Sequence, residues 1–190
     1  MGSEELGEIR REVLVDVTGT VLEIGVGPGY NIPFYRNISK LYALEPSKEL
    51  MEIAKTRVGT ASFPVEFLNS KAESIPLPNQ SIDTAVSTWT LCSVNDPQKV
   101  LNEIARVLRA QGQFIFVDHG ASNSSFIHVI QTIFTFFTKY FTGNCHYNRP
   151  IEKLIREAGF EIQKIEYPIE HGNPIIYNYH GIAVKQKQTS

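Results

Sequence analysis

Cysteine is scarce in this chain of 190 residues, which contains only Cys92 and Cys145. Two cysteines are too few for the disulfide framework of a small secreted domain, and no Cys-x-x-Cys or histidine-rich spacing indicates a metal site. No apolar run reaches the roughly 18–20 residues that a membrane-spanning helix needs. The polar, acidic residues 1–5 are unlike a signal peptide. We therefore expect a cytoplasmic protein without a metal.

The chain also lacks an excess of either charge. Its formal net charge is −2 and its pI is near 6.2, so it has no general basic field for binding nucleic acid. A hydrophobic content of 42% and a charged content of 20% are typical of a globular protein. The length predicts one domain, 1–190, with no internal repeat and no linker.

The most informative stretch is Val21-Leu22-Glu23-Ile24-Gly25-Val26-Gly27-Pro28-Gly29-Tyr30. Its apolar first half predicts a strand that is covered on both faces. The three glycines that follow allow positive φ angles and a close approach of the backbone to a ligand. A carboxylate inside a buried strand is costly unless it is paired or faces a polar ligand. Glu23 therefore favours a ligand with a positive charge over one made of phosphates.

A second apolar stretch, Leu41-Tyr42-Ala43-Leu44, predicts a strand that ends at Glu45 and Pro46. An acidic residue at such a strand end, about 20 residues beyond a glycine turn, is placed to accept hydrogen bonds from ribose hydroxyls. Ser47 can cap a helix over 48–58. The first crossover helix is expected to begin within 31–35, so that its positive end faces the ligand.

Together these motifs resemble the first two motifs of the class I S-adenosylmethionine (SAM) methyltransferases. The resemblance covers about residues 10–185 and implies SAM as the cofactor, with S-adenosylhomocysteine as its product. It implies an α/β, Rossmann-like three-layer sandwich: a seven-stranded, mostly parallel sheet with one antiparallel strand near the edge. The residues that the resemblance assigns to the cofactor are Glu23, Gly25, Gly27, Gly29, Tyr30, Glu45, Pro46, Ala72, Glu73, Ser87, Thr88 and Trp89.

The loop that is expected to hold the adenine departs from the family pattern. The family usually has Gly-Asp-Ala-Glu there, and this chain has Lys71 at the position of the aspartate. An ammonium group cannot accept a hydrogen bond from the adenine amino group. Backbone groups, or Asn69 or Ser70, would have to accept that bond.

Two histidines are candidate general bases, since histidine titrates near neutral pH. His119 follows the predicted strand 114–118, and His146 lies in the predicted loop 142–150. A thiol or hydroxyl acceptor would need such a base. A structural hydrogen bond is the alternative role for each histidine.

Residues 126–141 predict an amphipathic helix with an unusually aromatic stripe. We expect it to be a lid over the substrate pocket, with core packing and docking to a membrane surface as alternatives. Only Lys139 is basic on this helix, which disfavours the membrane. The apolar stripe consists of Phe126, Ile127, Ile130, Ile133, Phe134, Phe137, Tyr140 and Phe141, opposite His128, Gln131, Thr132, Thr135, Thr138 and Lys139.

The single domain divides into four predicted parts. Residues 1–19 hold an N-terminal helix, 20–120 the SAM-binding core, 121–150 the substrate lid, and 151–190 a helix and two strands. The strands are expected at 160–167 and 177–185.

The predicted function is direct transfer of a methyl group to a small, apolar acceptor: a thiol, a quinone precursor or a lipid amine. Residues 90–94, 116–119, 143–145 and 181–185 resemble methyltransferase-like proteins that methylate alkyl thiols. A nicotinamide-dependent oxidoreductase is an alternative, although the spacing Gly-x-Gly-x-x-Gly fails. A non-catalytic SAM-binding protein is another. The sequence leaves the oligomeric state open. Its charge balance predicts no nucleic-acid partner.

Overall fold

The protein, in a computed structural model, is described here for residues 4–138, 140–141, 143–166, 176 and 178–186. The strands are β1 (Thr18–Ile24), β2 (Asn37–Leu44), β3 (Val65–Leu68), β4 (Ile82–Thr88), β5 (Leu108–His119), β6 (Phe160–Glu166) and β7 (Asn178–Lys185). The α-helices are α1 (Glu4–Leu14), α2 (Lys48–Lys55), α3 (Pro97–Val107), α4 (Ser125–Thr138) and α5 (Ile151–Glu157). Two 3₁₀ turns lie at Ile32–Phe34 and Val58–Thr60.

The seven strands form one sheet in the order β3-β2-β1-β4-β5-β7-β6. Strands β1 to β5 are parallel, and β7 runs antiparallel to both β5 and β6. The strand order reverses between β1 and β4, where open α/β sheets bind ligands at the carboxyl ends of their strands. The expected Rossmann-like architecture, with one antiparallel strand near the edge, is confirmed.

A hydrophobic core covers each face of the sheet, because successive side chains of a strand point to opposite faces. On one face Leu22 and Ile24 pack with the buried side of α3 and α5. On the other face Val21 packs with the end of α1, the first 3₁₀ turn and Ala54 of α2. These two cores make the predicted three layers.

Most of the predicted elements are present, with shifted ends. Strand β3 spans Val65–Leu68, and Asp96 caps α3 by accepting a hydrogen bond from the Lys99 backbone N–H at 3.0 Å. Ser47 caps α2, which ends at Lys55, before the predicted residue 58. The fifth strand is longer than predicted and begins at Leu108. The predicted strand limits Tyr167 and Tyr177 lie outside the described residues.

The first crossover helix is a wrong prediction. Between β1 and β2 the described chain forms only the 3₁₀ turn Ile32–Phe34. Strand β2 begins at Asn37, four residues before the predicted start, which leaves residues 25–36 for the whole connection. About a dozen residues is the minimum for a crossover between parallel strands, so no room remains for a regular α-helix after the glycine turn.

The aromatic helix is present as α4, and the residues that it turns toward the protein include Gln131 and Thr135 of its polar side beside the partly buried Phe134. Its buried residues are Gln131 and Thr135. The Gln131 side chain donates to the Gly120 carbonyl at 3.0 Å and accepts from the Ser122 backbone N–H at 2.8 Å, and Thr135 Oγ1 accepts from the Tyr147 backbone N–H. The side chains exposed on the other side are Phe126, Val129, Ile133, Phe136, Phe137, Tyr140 and Phe141.

Core packing is therefore wrong for five members of the predicted stripe: Phe126, Ile133, Phe137, Tyr140 and Phe141. The helix uses its polar side chains to satisfy backbone groups of irregular segments, which would otherwise be buried without hydrogen bonds. Lys139 lies outside the described residues. In the part of the chain that the structure describes, no helix is both long and apolar enough to span a membrane.

Candidate active site

The glycine turn follows β1 with all three glycines in the left-handed region. Their φ angles are 63° at Gly25, 53° at Gly27 and 80° at Gly29. A Cβ atom on Gly25 would collide with the side chain of Thr90. A Cβ atom on Gly29 would lie 3.0 Å from the backbone of Ala54 in α2. Gly25 and Gly27 line the cavity, and the missing side chain of Gly25 also leaves room for Thr90, whereas Gly29 permits close packing against a helix.

Glu45 holds this turn in place from the end of the neighbouring strand. Its Oε2 atom accepts a hydrogen bond from the Gly27 backbone N–H at 2.9 Å, and its Oε1 atom accepts one from the Ser47 backbone N–H at 2.9 Å. The side chain is buried. Each carboxylate oxygen can accept a further bond, so both oxygens remain competent to bind hydroxyl groups of a ligand.

Glu23 lies beneath the turn and is almost fully buried. Its Oε1 atom accepts from the Asn31 amide at 2.9 Å, and its Oε2 atom accepts from the Tyr35 hydroxyl at 2.8 Å. Burial raises the pKa of this carboxyl group from 4.5 to about 7, although both hydrogen bonds and the charge of Arg10 favour ionisation. The site therefore holds a carboxylate that a cationic ligand group would stabilise.

Arg10 reaches the same place from the N-terminal helix. Its guanidinium carbon lies 5.4 Å from the centre of the Tyr30 ring and 4.8 Å from that of the Trp89 ring, within the range of cation–π attraction. Its Nε atom donates to Asn31 Oδ1 at 3.0 Å. Burial lowers the pKa of the guanidinium. Arg10, Asn31 and Glu23 thus form one connected polar group under the turn.

These groups border a cavity of about 490 Å³, within the usual size range of small-molecule and cofactor sites. Of the residues assigned by resemblance, all but Gly29 and Ser87 line it. Ser87 is fully buried beside it and donates to Asp118 Oδ2 at 3.2 Å. Trp89 takes a positive φ of 51°, and its indole N–H donates to Asn178 Oδ1 at 3.4 Å.

Several lining residues were missed by the sequence reasoning: Arg10, Val26, Pro28, Asn31, Leu44, Leu50, Thr90, Ser93, Val94, Asn95 and Gly143. Arg10 belongs to the charged residues of an amphipathic helix, and nothing in the pattern separates it from the exposed Arg11. Gly143 lies far along the chain from the other lining residues. The one sequence signal for Gly143 is that residues 143–145 resemble the methyltransferase-like proteins that methylate alkyl thiols.

The loop at the expected adenine end contributes Lys71, Ala72 and Glu73 to the cavity lining. Neither Asn69 nor Ser70 lines it. The Asn69 amide donates to the Glu45 and Pro46 carbonyls at 3.0 Å, and the Ser70 hydroxyl donates to the Ser74 carbonyl at 2.8 Å. Both side chains therefore hold the loop and do not face the cavity.

The two candidate bases do not line this cavity. His119 is buried, with its Nδ1 atom 3.3 Å from Cys145 Sγ and 3.7 Å from Cys92 Sγ. The His146 backbone N–H donates to the Cys92 carbonyl at 2.8 Å, and its Nε2 atom lies 3.3 Å from Asn144 Oδ1. The role of either histidine as a base stays a prediction.

Comparison with known sequences places the chain among methyltransferases. The family model described as "Methyltransferase domain" matches residues 22–116, half of the chain. The phosphatidylethanolamine N-methyltransferase of Cereibacter sphaeroides is 27% identical over 76% of this chain and 71% of that protein. The thiol S-methyltransferase TMT1B of Mus musculus is 31% identical over 80% of this chain and 66% of that protein.

A solved structure supports the fold. The YcgJ protein of Bacillus subtilis superposes with a TM-score of 0.74 over 96% of this chain and 98% of that chain, at 17% identity. The chain spans between about half and 71% of the length of the curated relatives that lead the sequence comparison. Because the family model covers half of the chain and the cavity lies at its glycine turn, the protein belongs to the methyltransferase domain family, and its cofactor is S-adenosylmethionine.

Proposed function

We propose that this chain transfers the methyl group of SAM directly to a small, apolar acceptor, with alkyl thiols as the first class to test. The observation that carries the proposal is the cavity in which Glu23, Arg10 and Glu45 meet around the glycine turn. SAM carries an ammonium group, a carboxylate and a ribose, and the cavity offers one side chain of suitable charge for each. SAM supplies the electrophilic methyl group, and the protein supplies alignment and electrostatics.

Each end of the cofactor has a proposed partner. The Glu23 carboxylate binds the ammonium group, and the Arg10 guanidinium binds the carboxylate. Glu45 accepts from the ribose hydroxyls while keeping its bonds to the turn. The backbone near Ala72 borders the adenine. Holding two reactants in line can contribute up to about 7–11 kcal/mol to a lowered barrier.

The acceptor end of the cavity is proposed to lie at Ser93, Val94, Asn95 and Gly143. These side chains carry no formal charge, which suits an uncharged acceptor. The two relatives named above are a thiol S-methyltransferase and a lipid N-methyltransferase. Their names support a thiol or a lipid amine, and a quinone precursor remains the third class.

A thiol or hydroxyl acceptor must lose its proton during transfer. His119 is the first proposed base and His146 the second. Because neither lines the cavity, a base role would require proton transfer through an intervening group or water. The role is tested by replacing each histidine by asparagine and recording turnover against pH. If the histidine is the base, its variant no longer shows the fall in turnover at acidic pH that the wild type shows.

The test of the function has two stages. Thermal shift and calorimetry with SAM, S-adenosylhomocysteine and NAD should give binding for the first two only. Release of S-adenosylhomocysteine is then measured with an alkyl thiol, a phosphatidylethanolamine micelle and a reduced quinone precursor. Glu45→Ala serves as a cofactor-site control that should lower turnover at limiting SAM roughly five- to 150-fold, the equivalent of about 1–3 kcal/mol.

Each outcome separates the hypotheses. Binding of SAM with product release from one acceptor class supports the proposal and names the class. Binding of SAM with no release from any class supports the non-catalytic alternative. Binding of NAD alone would contradict the cofactor assignment and favour the oxidoreductase, for which the charge of Glu23 beside a pyrophosphate is unfavourable.

A further inference from the structure

Behind the wall of the cavity, three buried side chains from distant parts of the chain meet. Cys92 follows β4, His119 ends β5, and Cys145 lies in the loop after α4. Their exposed fractions are 1%, 8% and 5%. The two sulfur atoms and an imidazole nitrogen lie within 4.8 Å of one another. We propose that these residues bind a zinc ion through Cys92 Sγ, His119 Nδ1 and Cys145 Sγ.

The distances match the edges of a zinc coordination tetrahedron. Zinc bonds of about 2.3 Å to sulfur and about 2.0–2.1 Å to nitrogen, at a tetrahedral angle, separate the two ligand atoms by roughly 3.5–3.6 Å. The observed separations of His119 Nδ1 are 3.3 Å from Cys145 Sγ and 3.7 Å from Cys92 Sγ. They lie on either side of the ideal edge.

Without an ion, hydrogen bonds join the three groups: the Cys92 and Cys145 side chains bond to each other, and His119 Nδ1 lies 3.3 Å from Cys145 Sγ. The same three atoms can instead share one ion. Two sulfurs and one imidazole are ligands that zinc prefers, and hard ions such as magnesium do not.

The surroundings fix the ligands before any ion binds. The Cys92 backbone N–H donates to Asp118 Oδ1 at 3.0 Å, and the Cys92 carbonyl accepts from the His146 backbone N–H at 2.8 Å. The Asn144 amide donates to the Ser93 carbonyl at 2.9 Å. Such supporting contacts orient the ligands of a metal site.

The charges balance when zinc is bound. Both thiols lose their protons to solvent, two zinc–sulfur bonds and one zinc–nitrogen bond form, and two thiolates neutralise the ion. Asp118, which is buried, and Arg149, which is partly buried, carry charges of opposite sign and interact with this cluster. Solvent or a small ligand occupies the fourth position.

The ion would hold together chain segments that form part of the cavity wall. Ser93 and Gly143 both line the cavity. Ser93 follows Cys92 directly, and Gly143 lies two residues before Cys145. Zinc would tie the segment after β4 and the loop after α4 to the end of β5. Zinc on Nδ1 leaves His119 no free ring lone pair, so in the zinc-bound chain His146 is the remaining candidate base. Binding of the metal does not depend on the proposed methyl transfer, so its test has its own readout.

The test uses the full chain without a histidine tag, in its reduced form. After exposure to zinc and desalting, elemental analysis should find about one zinc per chain. Cobalt in place of zinc should give a thiolate charge-transfer band and intense tetrahedral d–d bands. Free zinc at a hundredfold excess over its dissociation constant should raise the melting temperature by roughly 5–11 °C, and a chelator should reverse the shift.

Variants locate the ion. Cys92→Ser and Cys145→Ser should each lower the affinity at least tenfold. His180→Ala is the matched control, because His180 belongs to a second group, with Glu12 and Glu166, that could also hold a metal. The control should keep its zinc and its cobalt spectrum. Circular dichroism checks that the cysteine variants fold, and the wild-type cobalt spectrum remains decisive if they do not.

Three outcomes would overturn the proposal: no stoichiometric metal on the reduced chain, a cobalt spectrum without thiolate bands, or loss of zinc in His180→Ala with retention in Cys92→Ser. Isolation of a Cys92–Cys145 disulfide from a chain that binds no zinc after reduction would also contradict it.

Discussion

Replacing Glu23 by glutamine should weaken cofactor binding and yet stabilise the cofactor-free chain at neutral to alkaline pH. Burial raises the pKa of Glu23 from 4.5 to about 7. A raised pKa means that the folded chain holds a proton that the unfolded chain releases. The free energy of unfolding contributed by this group is therefore fully present below pH 4.5 and is lost as the pH rises through 7.

The magnitude follows from the shift. One pKa unit corresponds to about 1.4 kcal/mol, so the penalty at pH 8 is roughly 3 kcal/mol, of which about 2–3 kcal/mol develops between pH 5 and pH 8. Glutamine has the same shape, stays neutral and can still accept from Asn31. The advantage of Glu23→Gln in melting temperature should therefore grow by roughly 5–10 °C over this interval.

The assay is a set of melting curves for both proteins at several pH values without cofactor. Asp118, whose pKa burial raises to about 6, changes stability in the same direction in both chains and cancels in the comparison. Glu161→Gln, the same exchange at an exposed position, is the control and should melt in parallel with the wild type. Parallel curves for Glu23→Gln would refute the reasoning.

The same substitution tests the cofactor role. An ammonium group needs an ionised carboxylate, so the affinity of the wild type for SAM should rise with pH up to about 7 and then level off. Glu23→Gln should bind roughly ten- to hundredfold more weakly and lose this dependence, because a charge-assisted hydrogen bond contributes about 1.5–3 kcal/mol. Calorimetry at pH 6 and pH 8 measures both effects.

Three further substitutions test the remaining contacts. Arg10→Ala should weaken SAM binding by about 1–3 kcal/mol, whereas the exposed Arg11→Ala should not; equal affinities would exclude Arg10 from the site. Glu45→Ala should cost a similar amount in calorimetry and also lower the melting temperature, since two backbone N–H groups lose their acceptor. Gln131→Ala should lower the free energy of unfolding in urea by about 1–3 kcal/mol, and Ile133→Ser on the exposed side of α4 by less than about 0.5 kcal/mol. The reverse order would contradict the orientation of α4.

The orientation of α4 shows where sequence reasoning reached its limit. Periodicity predicts the helix and its apolar stripe, because both depend on residue spacing alone. Which side faces the protein depends on what the helix meets. Here it meets backbone groups at Gly120, Ser122 and Tyr147, which need hydrogen-bond partners. Polar side chains therefore face inward, and no local pattern carries that information.

The wrong prediction of a helix between β1 and β2 also arose because tertiary contacts, and not local spacing, decide the outcome. Glycine spacing and apolar runs predict β1, the turn and β2, since each depends on nearby residues. The length left for the connection depends on where β2 begins, and pairing with β1 extends β2 back to Asn37. Tertiary pairing thus removed the room for a helix that the local sequence would allow.

The sequence by itself determined the strands β1 and β2, the glycine turn and the two acidic residues at the ends of these strands, whereas the seven-stranded parallel sheet was implied by the family resemblance. These features depend on local geometry and on the general position of ligands in open α/β sheets. Only the tertiary structure decided that Arg10 joins the polar group under the turn and that Cys92, His119 and Cys145 meet. Those residues are far apart along the chain, and their spacing matches no metal-binding motif. Packing of the strand ends and loops, rather than any local pattern, brings them together.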